Sequence, residues 1–337
     1  MPLKEYISQM RPAVEAELRL VFSASLREEQ TGLVDMLSYH MGWSGNGAGP
    51  DAQGKRIRPL LVLLSCAAAE GDWHKALPAA AAVELIHNFS LIHDDIQDQS
   101  EMRRGRATIW KLWGMPQAIN AGDLMFTLSY SAVSRLADTA NAETAVKATM
   151  LINQACIRLT RGQYLDISYE SRKDLVLEDY WPMVSGKTAA LLACSAQLGA
   201  LTSGANASRQ QSFFDFGHNL GLAFQAMDDE LGIWGDTAST GKSVESDLLA
   251  GKKTLPVLYA LEKKGQFARR WARGPVQEDE VPELAALLEE EGAREYTQQT
   301  ADAFTKMALD ALDRASQVGE ASIALRDLAI SLLSRKK

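Results

Sequence analysis

Residues 91–110 read LIHDDIQDQSEMRRGRATIW, which sets Asp94, Asp95 and Asp98 at the end of an apolar run and Arg103, Arg104 and Arg106 just beyond it. Burying even one unpaired carboxylate is costly, so a purely structural helix gains nothing from such charges. If the run is helical, Asp94 and Asp98 lie one turn apart on one side, where their like charges repel. A hard cation between them turns that repulsion to use, and an all-oxygen donor set favours Mg²⁺ or Mn²⁺ over zinc. Mg²⁺ commonly bridges carboxylates to substrate phosphates, and guanidinium forks match phosphate oxygens in geometry as well as charge. Acids beside arginines therefore point to a phosphorylated ligand. For DDIQD taken alone, a solvated acidic helix end is the plainer alternative.

A second apolar run, GLAFQAMDDELGIWGD at residues 221–236, again closes on paired acids, Asp228 and Asp229, with Gly232 in the fifth place. Gly217, Gly221, Gln225, Asp228 and Gly232 fall at steps of four or three and describe one helical stripe. On this reading the glycines admit a neighbouring helix while Gln225 and Asp228 face a ligand. The alternative is that the glycines serve packing only and Glu230 is a solvated acid. Basic residues recur in GKRIRP (54–59), SGKTA (185–189) and GKKTLP (251–256), which offer Lys55, Arg58, Lys187 and Lys252 as phosphate-binding candidates. His87 shares nearly the face of Asp94, and a lone histidine there reads equally as a core residue. No Ser/His/Asp order, Walker loop or GxGxxG after a strand is present, so hydrolase, P-loop and Rossmann readings have no support.

The elements that must hold these residues are helices. Apolar positions recur at helical spacing over 59–69, 79–93, 118–136, 142–167, 188–201, 208–234, 255–264, 281–317 and 321–334, and strands are hard to find. The fold expected is all-α, and no linker or repeat divides residues 1–337, so a single domain is expected. The Gly-rich stretch 40–53 joins helices, and the small, polar, lysine-bearing segment 235–254 is a candidate lid. Cys66, Cys156 and Cys194 stand in apolar runs as small buried hydrophobes, in keeping with a reducing cytosol. A net charge of −8 argues against nucleic acid as a partner. Residues 1–30 show no signal pattern and no run reaches the ~20 apolar residues of a membrane span, so a cytoplasmic protein is expected.

The ordered set GKRIRP, ELIHNFSLIHDDIQD, RRG, GKT, FQAMDD and GKSVESDLLAGKKTLP resembles the trans-isoprenyl diphosphate synthases of the polyprenyl synthetase family. The resemblance implies a single bundle of long helices around a deep central cavity, usually in a homodimer. It also implies two acid motifs that hold three Mg²⁺ ions against an allylic diphosphate. Asp94 and Asp98, with Asp95, match the first motif, and Asp228, with Asp229, the second. Arg103, Lys187 and Lys242 match residues that grip the allylic diphosphate, with Thr188 and Gln225 beside them, while Lys55, Arg58, His87 and Arg104 match the isopentenyl diphosphate site. The implied reaction is metal-assisted ionisation of the allylic diphosphate, attack by the double bond of isopentenyl diphosphate, and proton loss.

This chain departs from the family pattern at Gly232, where an aspartate is usual, at Glu245, where glycine is common, and at Gln53, which replaces the first of two glycines before Lys55. Asp236 is a candidate to compensate for Gly232. By resemblance Phe89 and Ser90 set the floor of the product tunnel. One aromatic and one small residue there suggest geranylgeranyl diphosphate as product, with farnesyl diphosphate next. Two other readings stay open: a non-catalytic partner of another synthase, and a terpene cyclase on the same fold. The arginine pair after DDIQD and the Lys55, Arg58 and Arg104 set favour elongation over both.

Overall fold

The computed structural model describes residues 2–26, 31–235 and 246–334. Its principal helices are α1 (Pro2–Ser25), α2 (Thr31–His40), α3 (Ile57–Ala68), α4 (Leu77–Gln97), α5 (Met115–Ser134), α6 (Ala142–Ser171), α7 (Leu177–Val184), α8 (Ala190–Thr202), α9 (Ala207–Trp234), α10 (Leu255–Lys263), α11 (Val281–Glu290), α12 (Ala293–Ala315) and α13 (Glu320–Leu333). The all-α expectation holds. Among the described residues no helix is long and apolar enough to cross a membrane.

Two compact units emerge. The first gathers Met1–Asn153, Cys194–Gln210 and Ser316–Leu325, and the second Gln154–Ala193, Gln211–Ala315 and Arg326–Lys337. In the first, α4 packs along α5 and against α3. Ala79 to Ala82 of α4 are fully buried, and so small a surface lets neighbouring helices approach closely while burying apolar area. Helix α1 adds the buried stripe Met10, Val14, Leu18 and Val21, whose three- and four-residue steps are helical spacing between otherwise polar residues. In the second unit, Tyr180 and Val184 of α7, Leu222 and Ala226 of α9, Leu255 and Leu258 of α10 and Ala301 of α12 form one core.

Several details differ from the sequence expectation, each for a physical reason. The run 281–317 is two helices, because Gly292 takes a left-handed φ of 81° between α11 and α12. A short antiparallel hairpin pairs Met102 with Ala107 and Arg103 with Arg106. Arg104 and Gly105, its two turn residues, both have positive φ (52° and 72°), the requirement of a type I′ turn. Cys66 and Cys194 are buried as expected, whereas Cys156 is only partly so.

Glycine governs how helices of the second unit meet. Gly217 and Gly221 of α9 lie against the backbone of Leu192, Ala193 and Ala189, as the stripe predicts. A Cβ on Gly162 of α6 would stand 2.1 Å from the Lys187 nitrogen, and one on Gly186 would stand 2.5 Å from the Arg158 carbonyl oxygen. Both contacts are backbone, so neither can yield as a flexible side chain would. Gly162→Ala is expected to destabilise the protein by about 1–3 kcal/mol, read as a lowered Tm in thermal denaturation; an unchanged Tm would show that α6 can withdraw from Lys187 at no cost.

Candidate active site

Each acid motif ends a long helix, and consecutive helical residues point about 100° apart. At the end of α4 this separates the three aspartates. Asp94 is half-buried and Asp98 exposed, one turn apart, while Asp95 is 2% exposed and turned away. The Asp95 carboxylate is gripped by Arg103, whose Nε lies 2.8 Å from Oδ1 and 3.0 Å from Oδ2 and whose Nη2 lies 2.7 Å from Oδ1. Burial pushes the Asp95 pKa up and the Arg103 contact opposes the shift. Asp95, expected among metal ligands, thus ties the hairpin to the helix end.

The arginines after DDIQD likewise divide. Arg106 is buried, donates to the carbonyls of Tyr39 (2.7 Å), Ser44 (2.7 Å) and Asn46 (3.0 Å), and lies over the Tyr39 ring. It therefore orders the Gly-rich loop rather than a phosphate, a correction to the reading of RRGR as three phosphate ligands. Arg104 sits in the left-handed turn and donates to the Ala52 carbonyl at 2.9 Å. A Cβ on Gly54 would come within 2.7 Å of its guanidinium carbon, so glycine is needed there. Non-glycine residues hold positive φ at a cost that surrounding structure must offset, and such strain gathers at working sites.

Around that turn the first unit assembles a cationic surface. Lys55 is exposed beside Arg56, whose buried guanidinium holds Glu15 (2.6 Å) and Glu84 (2.8 Å). Arg58 Nη1 donates to His87 Nε2 at 3.2 Å. A guanidinium can only donate, so Nε2 accepts and the His87 proton resides on Nδ1. Burial, then Arg58 and Arg104, hold the His87 pKa well below its ordinary value. Burial also lowers Arg58 to about 10, which leaves it charged near neutral pH. His40, absent from the sequence expectations, lines a recess with Tyr39, Asp95, Arg103, Arg104 and Arg106. Its Nε2 is enclosed without a hydrogen-bond partner. The sequence signal for it was slight: a histidine at a helix end, before glycines.

Phe89 and Ser90 lie one helical turn back from the acids. Ser90 Oγ bonds the His87 carbonyl at 2.8 Å, which spends its hydroxyl within α4. The Phe89 ring meets His93 (4.8 Å) and Phe126 of α5 (5.0 Å), and Phe126 in turn meets Tyr130 (5.3 Å). The aromatic cluster thus spans two helices, which i, i+4 spacing within α5 alone did not disclose.

In the second unit the three acids ending α9 also fan out. Asp228 is exposed. Asp229 is buried; Gln225 Nε2 donates to its Oδ1 (2.8 Å), while Tyr180 OH (2.7 Å) and the Leu255 backbone N–H (2.8 Å) donate to Oδ2. Burial raises Asp229 to about 7 despite these donors. The bond from Leu255 caps the start of α10, so Asp229, expected as a metal ligand, joins three elements instead. Glu230 is not a solvated acid: it is 8% exposed and bonded to Arg294 (3.2 Å) and Gln298 (2.6 Å) of α12.

Thr188 Oγ1 donates to Gln225 Oε1 at 2.7 Å, which continues the chain from Asp229. Residues Ser185–Ala189 form a single π turn, a feature frequent at functional sites, and from it Lys187 reaches Asp166 of α6. Lys252 is exposed, 3.4 Å from Asp247. Lys242, Asp236, Glu245 and half of the candidate lid lie outside the described residues. Among the described residues no three His, Cys, Asp or Glu side chains converge on one point. Asp94 and Asp98 in the first unit, and Asp228 in the second, each offer only oxygen donors, the chemistry that a hard cation takes together with waters and phosphate oxygens.

A family model described as polyprenyl synthetase matches residues 49–288. A (2E,6E)-farnesyl diphosphate synthase of Mycobacterium bovis is 40% identical over 311 residues, covering 89% of this chain and 86% of that one. A geranylgeranyl diphosphate synthase of Mycobacterium tuberculosis is 38% identical over 295 residues, covering 86% and 83%. The crystal structure of geranylgeranyl pyrophosphate synthetase from Pyrococcus horikoshii superposes with a TM-score of 0.89 at 33% identity, covering 99% of each chain.

The cationic surface has a pH signature. Burial and the neighbouring Arg104, Arg103, Arg56 and Arg106 lower His40 to about 3. Unfolded histidine titrates near about 6.5, so between these values the unfolded chain binds more protons than the folded one. Stability therefore falls as pH is lowered from about 6.5 towards 3, and His87 contributes in the same direction. His40→Gln is expected to flatten the decline of Tm between about pH 7 and about pH 5; a slope equal to the parent's would show that His40 takes up its proton alike in the folded and unfolded chain.

Proposed function

The chain belongs to the polyprenyl synthetase family and is a trans-prenyltransferase of the short-chain type, and we propose that it condenses isopentenyl diphosphate with an allylic diphosphate to give geranylgeranyl diphosphate, with farnesyl diphosphate as the next choice. The observation that carries this reading is the Arg58–His87 contact with Arg104 and Lys55 around the same turn. A cyclase, which takes no second diphosphate, has no use for a second set of cations, and a non-catalytic partner has no use for either set. We propose further that residues 1–337 act as one catalytic domain.

Arg58, Arg104 and Lys55 would grip the diphosphate of isopentenyl diphosphate by charge, and the neutral His87 would donate from Nδ1. Lys187 would exchange its ion pair with Asp166 for the allylic diphosphate, with Arg103, Lys242 and Lys252 adding charge to the same group. Thr188 and Gln225 would orient it through their hydrogen-bonded chain to Asp229. Preorganised donors of this kind stabilise the negative charge that builds on a departing group without further rearrangement. Mg²⁺, three ions by family precedent and replaceable by Mn²⁺, would be held by Asp94, Asp98 and Asp228 and would neutralise part of the charge on the leaving diphosphate. Asp95 and Asp229 would keep the two helix ends in place. The Phe89, Phe126 and Tyr130 rings would keep water from the allylic cation and stop chain growth.

A homodimer is proposed on the exposed apolar positions Val146, Met150, Ile157 and Tyr164, which recur along α6 at four- and seven-residue steps. Substrates so highly charged call for an aqueous setting, which supports the cytoplasm as the proposed location.

Purified protein incubated with Mg²⁺, isopentenyl diphosphate and each of dimethylallyl, geranyl and farnesyl diphosphate is expected to yield a linear C20 diphosphate by mass. A cyclic hydrocarbon, or no product from folded protein, would overturn the reading. Phe89→Ala is expected to lengthen the product by at least one isoprene unit, and an unchanged product distribution would remove Phe89 from the floor.

A further inference from the structure

The two acid motifs differ at one place: DDIQD ends on Asp98, whereas DDELG ends on Gly232. Gly232 lies one turn beyond Asp228 on the same face of α9, the relation Asp98 bears to Asp94. A Cβ built on Gly232 would stand 2.1 Å from Asp247 Oδ2, 3.0 Å from its Cγ and 3.7 Å from its Cβ. The carboxylate of Asp247 therefore fills the space that a side chain at position 232 would enter.

We infer that Asp247 supplies the acid that the second motif lacks, and that with Asp228 it holds a divalent cation bound together with a diphosphate. Side chains four apart on a helix have Cβ atoms about 5–6 Å apart, so a carboxylate over Gly232 stands near the place of a fifth-position aspartate. Its placement is fixed by packing. Leu248, fully buried with Ile233 and Val257, anchors the turn that carries Asp247, and the Lys252 N–H closes that turn on the Asp247 carbonyl at 3.0 Å. The Asp247 side chain is only 16% exposed, and its Oδ1 stands 3.4 Å from Lys252 Nζ, longer than a close charge-assisted bond. A poorly solvated carboxylate set over the helix position one turn beyond Asp228 favours a cation between the two acids. Glycine at 232 leaves room for this arrangement, since a side chain there would make the Asp247 carboxylate shift.

The inference rests on the proposed reaction, and its test separates the two. Mn²⁺ binding to the full chain is titrated by electron paramagnetic resonance with inorganic pyrophosphate present and absent, and prenyl diphosphate formation is measured in parallel. Asp247→Asn, which keeps the shape, is expected to weaken pyrophosphate-dependent Mn²⁺ binding by about tenfold or more. Gly232→Asp alone is expected to weaken it through collision with Asp247, while Gly232→Asp combined with Asp247→Gly is expected to recover most of it. Parental affinity in Asp247→Asn, or a double variant no better than either single one, overturns the role of Asp247 while the parent still makes product. A parent that neither binds Mn²⁺ with pyrophosphate nor turns over overturns the inference together with the reaction it rests on.

Discussion

Like charges crowded at a helix end repel, and the helix itself resolves the conflict by pointing successive side chains in different directions. At both acid motifs each inward acid acquires its own partner: Asp95 takes Arg103, Asp229 takes Tyr180, Gln225 and the Leu255 N–H, and Glu230 takes Arg294 and Gln298. These bonds are the reason that Asp94, Asp98 and Asp228 can be presented at all. A buried acid with a good set of donors costs little to keep, and breaking one such bond costs more than the bond contributes, because a buried oxygen is left unsatisfied. The same bonds that spare the helix ends also fasten them, Asp95 to the hairpin and Asp229 to the start of α10.

Much of this was legible in the sequence, and the reasons differ from one residue to the next. The i, i+4 pair Asp94 and Asp98 depends only on helical geometry, and the Gly217 and Gly221 contacts follow from one stripe. The partners of Asp95 and Asp229 were not legible, because spacing reveals which residues share a face but not which neighbour that face meets. Arg106 was misread for the same cause: its partners are carbonyls of a loop some 60 positions away in the chain. Helix α1 escaped because its apolar stripe is narrow and flanked by charge, so composition masked its period. The hairpin escaped because Arg-Gly stands where Asn-Gly is the stronger turn signal.

Backbone geometry, more than side-chain chemistry, sets the cationic groups. Gly54 and Arg104 both lie at positive φ and meet face to face, and a larger residue at 54 would displace the guanidinium. Gly162 and Gly186 bring two backbones into contact at the turn from which Lys187 and Thr188 project. In each case a residue without a side chain decides where a charged one stands, so the functional meaning of these glycines lies one residue away from them.

The π turn at Ser185–Ala189 carries a consequence for how this polypeptide reads as a linear text. A π turn contains one residue more than an α turn, so the faces of α7 and α8 are out of phase by roughly the angle of one residue. A hydrophobic pattern traced through both as one uninterrupted helix acquires a stutter there. Loss of a single residue from SGKTA would let the two helices run on in phase, and every inward position on one side of the splice would rotate away from its packing partner. Insertions and deletions in this short segment are therefore far less tolerable than the variety of side chains it would otherwise accept.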